Sequence, residues 1–110
     1  DGADGLVLTS SLAAAIDMQH SSLERDVDLT RIRVPTLFIG HARDSCRYTE
    51  VRDVPMIARK LVNAPKVETR IFEGGDSKGD PCEAFSHHGY FGIEDEVVDA
   101  ITIWLKANAP

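Results

Sequence analysis

The sequence predicts an α/β fold with three layers, αβα, built around a mostly parallel sheet. Strand-like and helix-like segments alternate along the chain in the order β-α-β-α-β-α, with long connections between strands. That order favours a parallel sheet with right-handed crossovers. Two of the strand-like segments, residues 5–10 and 36–40, are continuous apolar runs. Such runs are typical of parallel strands that helices cover on both faces.

Length and charge limit the classes of function. A chain of 110 residues accommodates one domain at most. Its formal net charge is −6, and its Lys and Arg residues are scattered rather than clustered. This disfavours nucleic acid or an anionic membrane as a partner, because phosphate groups bind to a positive face. The chain also lacks an apolar run of the ~20 residues that a membrane-spanning helix needs.

The first strand, residues 5–10 (GLVLTS), begins with Gly5 and ends with Ser10, which a second Ser follows. Ser11 is a suitable N-cap for a following helix, and the alanines at residues 13–15 favour one. The sequence turns polar after His20. We therefore expect this helix to be short or broken in two.

The second strand, residues 36–40, begins after Pro35, a position where the missing N–H is tolerated. The next helix has Asp53 as its predicted N-cap and Pro55 in its first turn. Its apolar residues follow helical spacing: Val54, Ile57, Ala58 and Leu61. We expect this helix to end near residues 63–65.

The third strand shows alternation instead of a continuous apolar run. Val67, Thr69 and Ile71 alternate with Glu68 and Arg70. This pattern predicts a strand with one wetter face, near an edge of the sheet.

A long loop, residues 74–92, and a final helix complete the chain. Loops of this length are usually functional or mobile. The helix has Glu94, Asp95 and Glu96 in its first turn, where negative charge suits the helix dipole. One face of the helix is apolar and comprises Ile93, Val97, Ala100, Ile101, Trp104 and Leu105.

Three strands and three helices leave part of such a sheet uncovered. Two strands that are apolar on both faces need cover on both sides, so some apolar surface or a strand edge should stay open. We therefore interpret residues 1–110 as a single partial domain of a larger sheet. A preceding segment or another chain is expected to complete it. No signal peptide is visible, and Asp1 is interpreted as a cleavage site or the boundary of an expressed segment.

The most informative motif pairs an acid with a histidine. Asp44 lies just past the end of the second strand, and His88 lies in the loop that opens the final helix. A strand-end acid followed by a loop histidine is the second half of a Ser–Asp–His triad in chain order. The residues before Asp44 offer no convincing nucleophile.

Together these segments resemble the C-terminal third of an α/β-hydrolase, of the serine-esterase or dienelactone-hydrolase-like kind. The motifs are GLVLTS, VPTLFIGHARDSC, EGG with PCEAFSHHGYFG, and IEDEVVDAITIWLKANAP. The resemblance implies that Asp44 is the triad acid and that His88, followed by Gly89 and Tyr90, is the triad histidine. It further implies that the nucleophile elbow and oxyanion loop lie outside this chain, that the substrate is a small acyl compound, and that no cofactor or metal takes part.

Other residues compete for these roles. Asp44 could simply cap a turn, as Asp often does in loops. His87 is the neighbouring candidate for the base. In the family that the sequence resembles, a Gly and an aromatic residue directly follow the triad histidine, and this resemblance implies His88 and leaves His87 as a packing or surface neighbour. His41 lies three residues before Asp44 and is interpreted as structural.

Residues 75–79 (GDSKG) match G-x-S-x-G, but we reject Ser77 as the nucleophile. A nucleophile elbow needs a strand that runs into the serine and a helix that leaves it. Lys-Gly-Asp-Pro follows Ser77, and the chain order would be Asp, Ser, His.

Cys46 and Cys82 allow three interpretations: buried thiols, a disulfide, or metal ligands together with nearby histidines. The close C-x2–4-C spacing of structural zinc sites is missing. The fold favours a disulfide, because the loops that bring Asp44 and His88 together should also bring the cysteines within the ~7 Å that a bridge requires. A disulfide would favour a periplasmic or secreted protein.

Two functions remain open at this point. The first is a serine-type hydrolase of ester or similar acyl bonds, to which this chain supplies the acid and the histidine. The alternative is a non-catalytic α/β module that binds a protein partner through an open sheet edge. A G-x-S-x-G motif upstream of Asp1 would favour the enzyme.

Overall fold

A computed structural model describes residues 3–10 and 27–109. These residues form a small parallel sheet with two α-helices, which confirms the α/β class. The strands are β1 (Leu6–Thr9), β2 (Thr36–His41) and β3 (Val67–Phe72), and the helices are α1 (Val54–Ala58) and α2 (Glu94–Asn108). Short 3-10 turns lie at Leu29–Arg31, Val51–Asp53 and His87–Gly89. The helix expected from Ser11 onward falls outside the described residues.

The sheet has the order β1-β2-β3, and both strand pairs are parallel. All six residues of β2 are buried, as its continuous apolar run predicts. Pro35 lies just before β2, and its carbonyl accepts a hydrogen bond from the N–H of Leu6 at 2.9 Å. The proline therefore pairs the starts of β1 and β2 without needing a donor of its own.

Two apolar clusters lie on opposite faces of β2, because successive side chains of a strand point to opposite sides. Phe38 packs on one face with α1, in a cluster that comprises Leu29, Phe38, Val54, Ile57 and Leu61. The other cluster packs with α2 and comprises Leu37, Ile39, Phe72, Tyr90, Val97 and Trp104. The central strand is thus covered from both sides.

Helix α1 is shorter than its apolar spacing predicts. It spans five residues, Val54–Ala58, and Asp53 makes no side-chain capping hydrogen bond. The chain then continues in hydrogen-bonded turns, with the N–H of Leu61 donating to the Ala58 carbonyl. Leu61 is still only 3% exposed. Burial of Leu61 therefore accounts for the apolar spacing, and it does not require a continuous helix.

Strand β3 lies at an edge of the described sheet, as predicted, but its apolar and charged residues do not separate into a buried and an exposed face. The face of Glu68 and Arg70 lies toward α2, where the indole N–H of Trp104 donates to the Glu68 carboxylate. Ile71 belongs to the apolar set, yet it is 44% exposed. A polar strand face can be covered when its charged groups find partners, which alternation alone does not reveal.

Candidate functional site

Two neighbouring loops form the site at the carboxyl ends of β2 and β3. Asp44 follows β2 in a tight turn, in which its N–H donates to the His41 carbonyl at 3.0 Å. His88 lies in the 3-10 turn His87–Gly89, on the loop between β3 and α2. Because the carboxyl ends of neighbouring parallel strands lie on the same side of a sheet, the two loops that follow them meet there.

The structure brings Asp44 and His88 into direct contact, as the sequence predicts. The distance from His88 Nδ1 to Asp44 Oδ2 is 3.0 Å. The side chain of Asp44 is 1% exposed and that of His88 is 20% exposed. The acid is therefore shielded from water, whereas the histidine reaches the surface.

Further hydrogen bonds compensate the burial of the Asp44 carboxylate. The N–H of Cys46 donates to Oδ1 at 2.9 Å, and the Thr49 hydroxyl donates to Oδ2 at 3.1 Å. Thr49 Oγ1 also lies 2.9 Å from His88 Nδ1. A buried carboxylate requires such partners, and these fix its orientation toward the imidazole.

This geometry leaves one ring nitrogen of His88 available. A proton on Nδ1 satisfies both Asp44 Oδ2 and Thr49 Oγ1, so Nε2 carries the lone pair. Among residues 3–10 and 27–109, none hydrogen-bonds to His88 Nε2. An imidazole held in this way can accept a proton at Nε2, and the carboxylate then stabilises the imidazolium.

A second network holds the backbone of the histidine turn. The Ser10 hydroxyl donates to the His88 carbonyl at 2.8 Å and lies 2.9 Å from the Tyr90 hydroxyl, which donates to the Ile39 carbonyl at 3.1 Å. Ser10 (φ 44°) and Tyr90 (φ 59°) both have positive φ. Such conformations are unfavourable for these residue types and persist where surrounding contacts fix them. The turn is thereby attached to the ends of β1 and β2.

Gly89 is required directly after His88. A Cβ at this position would lie 2.2 Å from the Ala84 carbonyl oxygen. A side chain here would displace the turn that carries His88.

His41 and His87 take structural positions. His41 is 0% exposed. The N–H of Arg43 donates to His41 Nδ1 at 2.9 Å, and Nε2 lies 2.8 Å from the Gly74 carbonyl, to which it donates. Both ring nitrogens are thus occupied. His87 stacks on His41 with ring centroids 4.4 Å apart, as expected of a packing neighbour.

The predicted disulfide is present. Cys46 and Cys82 are bonded, with Cα atoms 4.7 Å apart and a sequence separation of 36. Neither cysteine is therefore a free thiol or a metal ligand. Within the described part of the chain, no group of three or more His, Cys, Asp or Glu residues could hold a metal ion. The bridge joins the loop of Asp44 to the loop of His88.

Ser77 lies in an exposed loop without the setting of a nucleophile. Residues 73–78 have no regular secondary structure, so β3 does not lead directly into Ser77 and no helix leaves it. The N–H of Ser77 donates to the carboxylate of Asp76.

We expect Ser77→Ala to leave any ester hydrolysis by this protein unchanged, because Ser77 has neither elbow geometry nor a basic partner. An assay with an activated chromogenic ester, on wild type and variant at equal concentration, measures this. Activity that disappears in the variant would make Ser77 the nucleophile.

Tyr90 gives the site a pH-dependent stability. Burial raises the pKa of the Tyr90 phenol above its ordinary value of 10.0, the nearby Asp44 carboxylate raises it further, and hydrogen bonding with Ser10 opposes the shift. Below the unfolded pKa both states keep the proton, so the contribution to stability is complete. As pH rises past that value the unfolded chain loses its proton first, so this stability is lost as pH rises through the folded pKa.

We expect Tyr90→Phe to lower the free energy of unfolding at neutral pH by about 1–2 kcal/mol, because Ser10 and the Ile39 carbonyl lose a partner. The variant should also lose less stability than wild type above about pH 10. Urea unfolding of wild type and variant, at neutral pH and above about pH 10, measures the loss of stability and its dependence on pH. Equal slopes against pH in both proteins would contradict the role assigned to Tyr90.

No protein-family model, no curated protein and no solved structure matches this chain. Within residues 3–10 and 27–109, no helix has the length and apolarity to span a membrane. A functional assignment therefore depends on the site geometry and on the order of its residues along the chain.

Sequence reasoning missed Thr49, Ser10 and Tyr90 as supports of the site. Thr49 lies five residues after Asp44, within reach of the same loop. Ser10 follows the end of a strand beside the one that leads to Asp44, which is a usable signal once the strand order is known.

Proposed function

We propose that this chain supplies the acid and the histidine of a serine-type hydrolase that acts on ester or similar acyl bonds. One observation carries the proposal: Asp44 Oδ2 lies 3.0 Å from His88 Nδ1, while Nε2 has no partner among the described residues. The order acid, then histidine, on the last two strand-to-helix loops is that of the second half of an α/β-hydrolase triad.

The architecture is compatible with the last three strands of that three-layer fold. A parallel sheet with apolar clusters on both faces of β2 is what this portion requires. In the proposal, the strand that bears the nucleophile pairs with the outer edge of β1. A largely apolar cavity of about 460 Å³ opens beside β1, lined by Ala3, Leu6, Arg31, Ile32, Arg33 and Val34. We propose that the rest of the sheet, from a preceding segment or another chain, covers it.

The roles in the reaction follow from the geometry. His88 Nε2 takes the proton of a serine hydroxyl as that oxygen attacks the acyl carbon. Asp44 stabilises the resulting imidazolium through Nδ1, and His88 then gives the proton to the leaving alcohol. Water, activated by the same nitrogen, releases the acid in the second half of the reaction. This scheme uses no cofactor and no metal.

Two features bear on partners and compartment. The proposed substrate is a small acyl compound, whose pocket is built largely by segments other than these residues. The Cys46–Cys82 bridge suits an oxidising compartment, such as the periplasm or the exterior of the cell.

Labelling with a fluorophosphonate, which reacts with activated serines, tests the proposal on the native protein that contains these residues. We expect the labelled serine to lie outside residues 1–110 and the labelling to be abolished in His88→Gln. His87→Gln is the matched control and should still label. Labelling that survives in His88→Gln, or a label on Ser10 or Ser77, would contradict the assignment. A native protein that contains no reactive serine would favour the non-catalytic binding module.

A further inference from the structure

The outer edge of β3 presents a regular row of backbone groups. On its inner side, the Lys66 carbonyl accepts from Thr36 N–H and the Phe72 carbonyl accepts from Ala42 N–H, each at 2.9 Å. Even-numbered residues of β3 therefore turn their backbone groups toward β2. Because the direction alternates along a strand, Val67, Thr69 and Ile71 turn theirs outward. No described strand pairs with that side.

The charges along this edge are self-complementary. In an antiparallel pair of identical strands, the two-fold axis passes through one residue, and its neighbours face each other. An axis at Thr69 places Glu68 opposite the partner's Arg70, and Arg70 opposite the partner's Glu68. An axis at Glu68 or Arg70 would place like charges opposite each other, which is unfavourable.

We propose that β3 is a homodimerisation edge, at which two copies of this chain pair antiparallel about a two-fold axis at Thr69. This register uses the outward backbone groups of Val67, Thr69 and Ile71, which form the hydrogen-bonded pairs. Glu68 and the partner's Arg70 then form a non-hydrogen-bonded pair, the type in which side chains are closest. The contact is isologous and closes after two copies.

The side chains beside the edge favour the same partner. Ile71, 44% exposed, would face the partner's Val67 and lose its contact with water. On the other face, a groove of about 460 Å³ runs between β3 and α2 and is lined by Arg70, Glu96, Asp99 and Ile103, among others. Glu96 and Asp99 make the α2 side of this groove acidic, which favours the approach of the partner's Arg70. Ile103 is 69% exposed and lies in this groove.

Symmetric cysteine crosslinking tests the register directly, since both native cysteines are already bonded to each other. At a hydrogen-bonded antiparallel pair the Cα atoms are ~5.5 Å apart, which a disulfide spans. We expect Thr69→Cys to form a covalent dimer under mild oxidation. Ile71→Cys is the matched control, because it would lie roughly 15 Å from its own copy and should not crosslink. A mixture of Val67→Cys and Ile71→Cys should crosslink.

Charge substitutions test the interface in solution by sedimentation at several concentrations. Arg70→Glu should weaken the dimer at least tenfold, because it places Glu68 opposite a glutamate. Glu68→Arg should do the same, and mixing the two variants should restore a heterodimer in which every opposing pair is attractive. Circular dichroism verifies that each variant is folded, since Glu68 also accepts from Trp104.

Three results would overturn the proposal. The first is a wild-type chain that stays monomeric at ~100 μM, a concentration at which weak specific dimers form. The second is a dimer whose Thr69→Cys variant does not crosslink. The third is equal crosslinking of Thr69→Cys and Ile71→Cys. A dimer that does not crosslink through Thr69→Cys would pair through another surface, such as the edge of β1. The test is independent of hydrolase activity.

Discussion

Replacing His88 by Gln is expected to lower kcat/KM for an activated ester by about 10⁴-fold or more in the native protein that carries the nucleophile. The variant loses the nitrogen that takes the serine proton. Asp44→Asn should cost about 10⁴-fold, because the Cys46 N–H keeps the amide oxygen at the Oδ1 position, and the amide NH2 at the Oδ2 position donates to Nδ1, which changes the tautomer. Steady-state kinetics on purified variants measures both effects, with KM expected to change little.

Thr49→Val provides a graded comparison. It removes a hydroxyl that donates to Asp44 Oδ2 at 3.1 Å but leaves the acid and the histidine in place. We expect a loss of only about 10-fold, the equivalent of one hydrogen bond. Losses in His88→Gln and Asp44→Asn that are no larger than this would contradict a catalytic role for the pair.

Removing the disulfide should have the largest effect on stability. In the double variant Cys46→Ala/Cys82→Ala, the free energy of unfolding should fall by about 3–4 kcal/mol, because the bridge closes a loop of 36 residues in the unfolded chain. Equilibrium unfolding in urea, with the reduced wild type as the matched comparison, measures the loss.

The same variant should loosen the acid–histidine contact. Cys46 lies two residues from Asp44 and donates its N–H to Oδ1 at 2.9 Å. With the bridge gone, hydrogen exchange should speed up in the loops of both Cys46 and Cys82 before it does in β2. A change in stability of less than about 1 kcal/mol, with unchanged exchange, would show that packing alone holds the loops together.

The strands and the acid–histidine pair could be predicted because strong local signals mark them. The apolar run of β2 identifies a buried strand, and Asp44 follows it directly. Because β2 and β3 are parallel, the loop of His88 must then begin beside Asp44, at the carboxyl ends of the strands. The disulfide follows from the same convergence, since Cys46 and Cys82 lie on those two loops.

The remaining features depend on contacts that a single sequence does not encode locally. The hydroxyls of Thr49 and Ser10 have no periodicity, and their partners lie 39 and 78 residues away. The short α1 reflects burial of Leu61 in turns, which produces the same apolar spacing as a longer helix. The placement of Glu68 against α2 depends on its hydrogen bond with Trp104, 36 residues away in sequence.

The most direct test of the central claim is the tautomer of His88 in this chain, read from ¹⁵N NMR at a pH where the ring is neutral. Our account predicts that the proton resides on Nδ1, held by Asp44 and Thr49, so that Nε2 is the free base. In Asp44→Asn this preference should disappear, while the spectrum of His41, whose Nδ1 accepts from Arg43, should not change. A neutral His88 that carries its proton on Nε2, or one that Asp44→Asn leaves unaffected, would contradict the proposed acid–histidine pair.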